Sequence, residues 1–152
     1  MSQIIKWDEF RNDVRILSNQ IKDSQIRYDV IVSISTGGLY SAGLLSKLLD
    51  IPKILNISCE SYNENNERGE IIFYNKLHPE DIKDASRVLI VDDLIDSGNT
   101  IKAVTEHISN ISMPMTSVDI ACPYVKSSYE DTNPVYFVVT IDKDIWLKFQ
   151  WE

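Results

Sequence analysis

The most informative stretch of the chain is residues 87–100, which read RVLIVDDLIDSGNT. Four consecutive apolar residues, Val88 to Val91, predict a strand buried on both faces, as found in parallel sheets. Two adjacent carboxylates, Asp92 and Asp93, follow directly. After a short loop at 96–100, apolar residues recur with the three- and four-residue spacing of a helix. The stretch therefore predicts a strand, an acidic turn and a helix in direct succession.

The loop before the predicted helix indicates an anion site. Backbone N–H groups at the start of a helix lack intrahelical partners and point outward, so they can hold a phosphate group. The carboxylates of Asp92 and Asp93 would accept hydrogen bonds from hydroxyl groups beside that phosphate. This combination predicts a site for a phosphorylated sugar.

Length and composition indicate one ordinary globular domain over residues 1–152, with 43% apolar and 25% charged residues. Two cysteines, Cys59 and Cys122, lie in separate apolar runs, which favours a reduced, cytoplasmic protein over a disulfide or zinc framework. No apolar run approaches the ~20 residues of a membrane span. The formal net charge of −8 argues against a nucleic-acid partner. It also predicts a divalent cation between the protein and any polyanionic substrate.

Helical and strand-like segments alternate along the rest of the chain. A helix with an apolar stripe over residues 10–21 precedes a first strand at 28–34, which leads through Ser-Thr-Gly-Gly at 35–38 into a second helix. This βαβ-like order predicts an α/β fold, a parallel sheet with helices on both faces. The further predicted strands are 54–59, 118–121 and 135–140, and another apolar run lies at 71–74.

Three of the five glycines, Gly37, Gly38 and Gly98, lie just after a predicted strand and just before a predicted helix. Ligands of open α/β sheets bind beyond the carboxyl ends of the strands. Two such loops predict two anion sites that share one crevice. The simpler interpretation, that Gly37 and Gly38 only turn the chain, stays open.

Two other classes of protein with acidic or phosphate sites fit less well. A response-regulator receiver also begins with a strand and an acidic pair, but it needs a strand-end phosphoacceptor aspartate and a later lysine. Only 59 residues follow Asp93, and none of their aspartates suits that role. A Walker-type nucleotide site needs Gly-Lys-Ser/Thr after a strand, which the sequence lacks.

The run from Val88 to Thr100 resembles the 5-phosphoribosyl-1-pyrophosphate (PRPP) fingerprint of the type I phosphoribosyltransferases. The similarity to the bacterial xanthine-guanine members of that family extends over nearly the whole chain. This resemblance implies the family's single-domain parallel-sheet fold with a small hood or flap. It also implies Mg²⁺-dependent transfer of the phosphoribosyl group to guanine, xanthine or hypoxanthine in purine salvage, with release of pyrophosphate. The other matching stretches are Trp7-Asp8, 35–39, Ser61-Tyr62 to Arg68, Asp144-Ile145-Trp146 and Trp151.

The resemblance also implies roles for individual residues. Asp92 and Asp93 would hold the ribose hydroxyls and the Mg²⁺ shell, and Asp96 would face N7 of the purine and accept its proton. The mobile flap, 61–69, would bring the charge of Arg68 to the pyrophosphate. The remaining implied contacts are Thr36, Gly37 and Gly38 for pyrophosphate, Ser97, Gly98, Asn99 and Thr100 for the 5-phosphate, and Cys122, Lys126, Trp146 and Leu147 for the base.

Two positions depart from the family pattern. Thr36 stands where the relatives usually carry arginine or lysine, so one cationic contact to pyrophosphate is missing. Cys122, before Pro123, stands where 6-oxopurine enzymes place a lysine that donates to the purine O6, and Lys126 is a candidate substitute. Two alternatives therefore stay open: a transferase for a different base, and a non-catalytic PRPP or nucleotide sensor.

The remaining aromatic residues and the oligomeric state are less constrained. Tyr124, Tyr129 and Tyr136 are expected to fill core and subunit surfaces, as is Phe137. Trp146 could stack on a base or only close the core. The resemblance implies self-association as a homodimer or homotetramer.

Overall fold

The computed structural model of the protein describes residues 1–62, 70–129 and 135–152. The helices are α1 (Trp7–Asp23), α2 (Gly38–Leu49), α3 (Pro79–Ile82) and α4 (Asn99–Ile111). The strands are β1 (Ser2–Ile5), β2 (Val30–Ser35), β3 (Ile54–Tyr62), β4 (Glu70–Phe73), β5 (Arg87–Val91), β6 (Leu94–Ile95), β7 (Ser117–Ala121), β8 (Tyr124–Lys126), β9 (Val135–Tyr136), β10 (Val139–Ile141) and β11 (Trp146–Phe149).

A six-stranded sheet with the order β4-β3-β2-β5-β7-β9 forms the centre of the molecule. Its strand pairs are parallel except for β3 with β4, which is antiparallel. Residues 30–33 of β2 pair with residues 88–91 of β5, so these two central strands end at the same edge. Two smaller parallel sheets have the orders β10-β8-β6 and β1-β11.

The central strands are buried on both faces because helices cover both sides of the sheet. On one face, Leu17 of α1 and Leu45 of α2 belong to the same core as Leu89 of β5. On the other, Ile101 of α4 belongs to the same core as Ile90 of β5. Burying each such side chain contributes about 1.5–3 kcal/mol. The predicted α/β fold with helices on both faces is confirmed.

The prediction of a single last strand at 135–140 is wrong. The structure divides it into β9, at the edge of the large sheet, and β10, in the three-stranded sheet. The N–H groups of Val138 and Val139 both donate to the carbonyl of Pro123, at 3.1 and 3.0 Å, where the chain passes between the two sheets. The sequence pattern also missed the short strands β1, β6, β8 and β11, which are two to four residues long.

The helices of the described chain are all too short or too polar to cross a lipid bilayer.

Candidate active site

The loops that follow β2 and β5 meet at one edge of the central sheet. A methyl group built on Gly37 would lie 2.0 Å from Oδ2 of Asp93, and one on Gly38 would lie 2.8 Å from the carbonyl oxygen of Val91. Gly37 has an ordinary φ of −60°. Close packing against the acidic turn, rather than an unusual backbone conformation, therefore explains why these positions are glycine.

The two carboxylates at the end of β5 form a half-buried pair. The N–H of Asp93 donates to Oδ1 of Asp92 at 2.9 Å. Burial raises the pKa of Asp92 well above its ordinary value, and the charge of Asp93 adds to this shift. Burial also raises the pKa of Asp93, with a further contribution from the charge of Glu152. Within residues 1–62, 70–129 and 135–152, no lysine or arginine forms an ion pair with either carboxylate, so the pair can accept a cation or hydroxyl donors.

The loop after β6 leads into α4 and presents backbone donors. Gly98 has a φ of +88°, a conformation that favours glycine. The N–H of Asn99 donates to Oγ of Ser97 at 3.3 Å, and the carbonyl of Gly98 accepts the N–H of Lys102 at 2.9 Å. The N–H groups of Thr100 and Ile101 in the first turn have no intrahelical acceptors, so they are available to an anion.

Asp96 lies at the exposed end of β6, open to solvent. Strand β6 pairs with β8 through Leu94–Tyr124 and Ile95–Val125. Asp96 directly follows β6 and Lys126 is the last residue of β8, so both lie at the same end of the three-stranded sheet. This end of the sheet therefore has a proton acceptor after one strand and a cation on the neighbouring strand.

Lys126 is a buried cation that bonds to the residue before an exposed tryptophan. It is 5% exposed, and its Nζ donates to the carbonyl of Ile145. The next residue, Trp146, is 66% exposed, whereas Leu147 is buried. The N–H of Trp146 donates to the carbonyl of Met1 at 2.9 Å, so β1 supports this strand from the far side. Lys126 and Trp146 are thus linked through Ile145, and the exposed ring of Trp146 offers a flat apolar surface.

Cys122 does not share that surface. Its side chain is fully buried, and its Sγ donates to the carbonyl of Tyr124 at 3.2 Å. Burial raises the pKa of the Cys122 thiol well above its ordinary value, and the charge of Asp92 adds to the shift. The thiol is therefore a neutral core group in this structure.

The other residues suggested by the sequence are placed as follows. Thr36 is exposed in the first loop, after a cis peptide bond to Ser35, and its carbonyl accepts the N–H of Leu39 at 3.1 Å. Ser61, the first residue of the predicted flap, belongs to β3, which ends at Tyr62. Arg68 and the flap residues 63–69 lie outside the described residues.

Two aromatic residues lie at the loops although sequence reasoning gave them no role there. Trp151 stacks on Tyr40, two residues after Gly38, with ring centroids 4.3 Å apart. Tyr129 lies against Gly98: a methyl group on that glycine would be 2.4 Å from its Cε2 atom. Neither contact has a signal in the local sequence, because each joins residues far apart in the chain.

Comparison with known proteins adds independent information. A model of the family described as phosphoribosyl transferase domain matches residues 1–152. The xanthine-guanine phosphoribosyltransferase of Chromohalobacter salexigens is 27% identical over 148 residues, which cover 97% of this chain and 82% of that protein. The crystal structure of a purine phosphoribosyltransferase from Pyrococcus horikoshii has a TM-score of 0.81 and 27% identity, covering 99% of this chain and 94% of that chain.

A third likeness concerns the fold alone. The crystal structure of a hypothetical protein from Neisseria gonorrhoeae with bound ppGpp has a TM-score of 0.83 at 23% identity. The match covers 100% of this chain and 90% of that chain. It agrees with the α/β architecture described above.

Proposed function

This chain belongs to the phosphoribosyl transferase domain family, and from that premise we propose that it transfers the 5-phosphoribosyl group of PRPP to a purine base. The products are a nucleoside monophosphate and pyrophosphate. The observation that carries the proposal is the meeting of two loops at one sheet edge, with Gly37 packed against the half-buried Asp93. The names of two relatives, a xanthine-guanine and a purine phosphoribosyltransferase, support a purine as the acceptor.

The reaction assigns a task to each group. A nitrogen of the base forms a bond to the anomeric carbon as the bond to pyrophosphate breaks, and positive charge develops on the sugar ring. Asp92 and Asp93 accept the ribose hydroxyls, each charge-assisted bond being worth about 1.5–3 kcal/mol. Asp96, exposed at the end of β6, takes the proton that the base loses. The first turn of α4 and the loop 36–38 hold the two phosphate ends of PRPP.

The acidic pair fits Mg²⁺ as a companion of PRPP. Mg²⁺ prefers oxygen ligands and is usually held by one or two carboxylates together with substrate phosphates and water. Over residues 1–62, 70–129 and 135–152 there is no cluster of three or more acidic, histidine or cysteine side chains able to hold a metal alone. Asp92 and Asp93 would hold the ion jointly with the substrate. Bound Mg²⁺ would stabilise the charge that grows on the departing pyrophosphate.

Lys126 is the residue we assign to the base. Its ammonium has three donors, of which the carbonyl of Ile145 takes one. The remaining donors suit the exocyclic oxygen of a 6-oxopurine lying on Trp146. This assignment accounts for a buried lysine in the same chain that has Cys122 at the family's lysine position.

Replacing Lys126 by methionine is expected to lower kcat/KM for the purine by roughly 10- to 100-fold, because a charge-assisted hydrogen bond to the base is lost. KM for PRPP should change little. The matched control is Lys148→Met, an exposed lysine on β11. Steady-state kinetics with each substrate varied in turn will show the effect, and equal losses in the two variants would refute the assignment.

The decisive test of the activity is a base screen. Guanine, xanthine, hypoxanthine, adenine and uracil are each incubated with PRPP and Mg²⁺, and pyrophosphate release is measured. We expect turnover with at least one 6-oxopurine and loss of that turnover when Mg²⁺ is chelated. Turnover with adenine or uracil alone would contradict the assigned base class while leaving the transferase chemistry intact.

A second candidate function is a PRPP or nucleotide sensor without catalysis. It is favoured by Thr36, which offers pyrophosphate no cation. A sensor would bind PRPP, show no turnover with any base, and bind equally well after Asp96→Asn. Calorimetry beside the base screen separates the two functions. In either case the proposal includes a cytoplasmic homodimer or homotetramer, which light scattering and cell fractionation will test.

A further inference from the structure

The loop that begins α4 is in contact with a side chain from a distant part of the chain. A methyl group built on Gly98 would lie 2.4 Å from Cε2 and 2.8 Å from Cδ2 of Tyr129. The edge of the tyrosine ring therefore rests on the backbone of the glycine. Gly98 also has a φ of +88°, which favours glycine. Both the backbone conformation and the tyrosine ring therefore exclude a larger residue at this position.

Hydrogen bonds and core packing hold Tyr129 in place. Its N–H donates to the carbonyl of Lys126 at 3.0 Å, which closes a turn directly after β8. Ser127 in this turn donates its N–H to Ile141 at 2.7 Å, and its Oγ accepts the N–H of Lys143 at 3.0 Å. The ring packs on the hydrophobic core beneath α4. The turn is thus anchored on one side by the three-stranded sheet and on the other by the core.

The loop, in contrast, has few restraints of its own. Asp96, Ser97 and Asn99 are all exposed to solvent. The bond from Asn99 N–H to Ser97 Oγ, at 3.3 Å, is long for a hydrogen bond. A loop with few internal hydrogen bonds is ordered by contacts with neighbouring residues. Backbone donors bind an anion tightly only when such contacts hold them in place before the anion binds.

We propose that Tyr129 is a positioning residue for the phosphate-binding loop: its ring is the wall that holds residues 97–100 in the conformation that receives the 5-phosphate. The ligand part of this inference rests on the proposed function. The same turn carries Lys126 at its start and Tyr129 at its end, so it connects the base side of the site with the phosphate side. Removing the Tyr129 ring should weaken binding of the 5-phosphate without altering Lys126, the proposed hydrogen-bond donor to the base.

The test compares Tyr129→Leu and Tyr129→Ala with Tyr129→Phe, which keeps the ring atoms that touch Gly98. The matched control is Tyr136→Ala, because Tyr136 is also a half-buried tyrosine but lies at the edge of the central sheet, bonded to Tyr28. Two quantities are measured on the full-length protein: the Kd for ribose 5-phosphate by calorimetry, and amide hydrogen exchange of residues 96–101.

For the leucine and alanine variants we expect ribose 5-phosphate to bind roughly tenfold or more weakly, with faster exchange at residues 96–101. KM for PRPP should rise while KM for the base stays within about twofold. Tyr129→Phe should stay closer to wild type than Tyr129→Leu in both measurements, and Tyr136→Ala should behave as wild type. Unchanged affinity and exchange in Tyr129→Leu would overturn the inference, as would an equal loss in Tyr136→Ala.

The two measurements also separate this inference from the proposed function. If the wild-type protein does not bind ribose 5-phosphate, the proposed function fails and the ligand part of the inference is overturned with it. Hydrogen exchange needs no ligand, so it still tests whether the Tyr129 ring orders residues 96–101. If Tyr129→Ala does not fold, the leucine and phenylalanine variants carry the comparison.

Discussion

Replacing Asp92 or Asp93 by asparagine is expected to remove nearly all turnover while making the folded protein more stable at neutral pH. Each carboxylate accepts ribose hydroxyls in the proposed complex, and losing two charge-assisted bonds of about 1.5–3 kcal/mol each lowers kcat/KM by roughly 10²- to 10⁴-fold. The stability gain has a separate cause. Burial disfavours the charged form of both carboxyls, and asparagine carries no charge.

The sign of the pH dependence follows from the raised pKa values. Between the ordinary pKa of an unfolded aspartate and the raised pKa in the folded state, the folded protein binds more protons than the unfolded chain. Stability must therefore fall as pH rises through this window. Asparagine does not titrate, so the advantage of Asp92→Asn over wild type should grow with pH across the same window.

Urea unfolding between pH 4 and pH 8, together with the activity assay, measures both effects. The control for activity is Asp84→Asn, an exposed aspartate after α3 for which turnover should not change. Asp92→Asn or Asp93→Asn with normal turnover would rule out the assigned role of the pair. A variant less stable than wild type at pH 8 would show that the carboxylates make favourable interactions which this structure does not contain.

Gly37→Ala is expected to be nearly as damaging, through geometry rather than charge. The new methyl group would lie 2.0 Å from Oδ2 of Asp93, so either the loop or the carboxylate must move. Overpacking of this kind costs about 1–3 kcal/mol of stability. A displacement of about 1 Å at a reacting centre lowers the rate by roughly 100-fold.

Gly43→Ala provides a matched control in α2, the helix that follows Gly37. Nothing lies within 4 Å of a methyl group at Gly43, which is in the interior of α2. Alanine there should raise the free energy of unfolding by about 0.5–1 kcal/mol and leave turnover unchanged. Thermal unfolding and kcat/KM for both variants decide the matter. If Gly37→Ala is as active as Gly43→Ala, the close packing of the two loops is not needed for function.

The parts of the fold that depend on neighbouring residues could be predicted from the sequence. Val88 to Val91 form a strand buried on both faces because four apolar residues in a row leave no polar side, and the structure shows the same burial. The position of Gly98 at the start of α4 follows from its place between the strand and the helical pattern. These features are local, so the chain itself reveals them.

The parts that depend on distant residues could not be predicted. Tyr129 and Gly98 are 31 positions apart, and nothing near either residue indicates their contact. The burial of Lys126 depends on the carbonyl of Ile145, which reaches it only after the chain has crossed between two sheets. Strands of two or three residues, such as β6 and β8, are too short to produce a detectable period.

The separation of the molecule into one large and two small sheets has an evolutionary consequence. In our proposal the ribose and pyrophosphate contacts follow strands β2 and β5 of the large sheet, whereas Trp146, proposed for the base, lies on β11 of the two-stranded sheet. Lys126 lies on β8, which shares its sheet with β6 and is therefore coupled to Asp96 and the proposed reaction centre. We expect β11 to be the strand on which a lineage changes its acceptor base while it keeps the same donor.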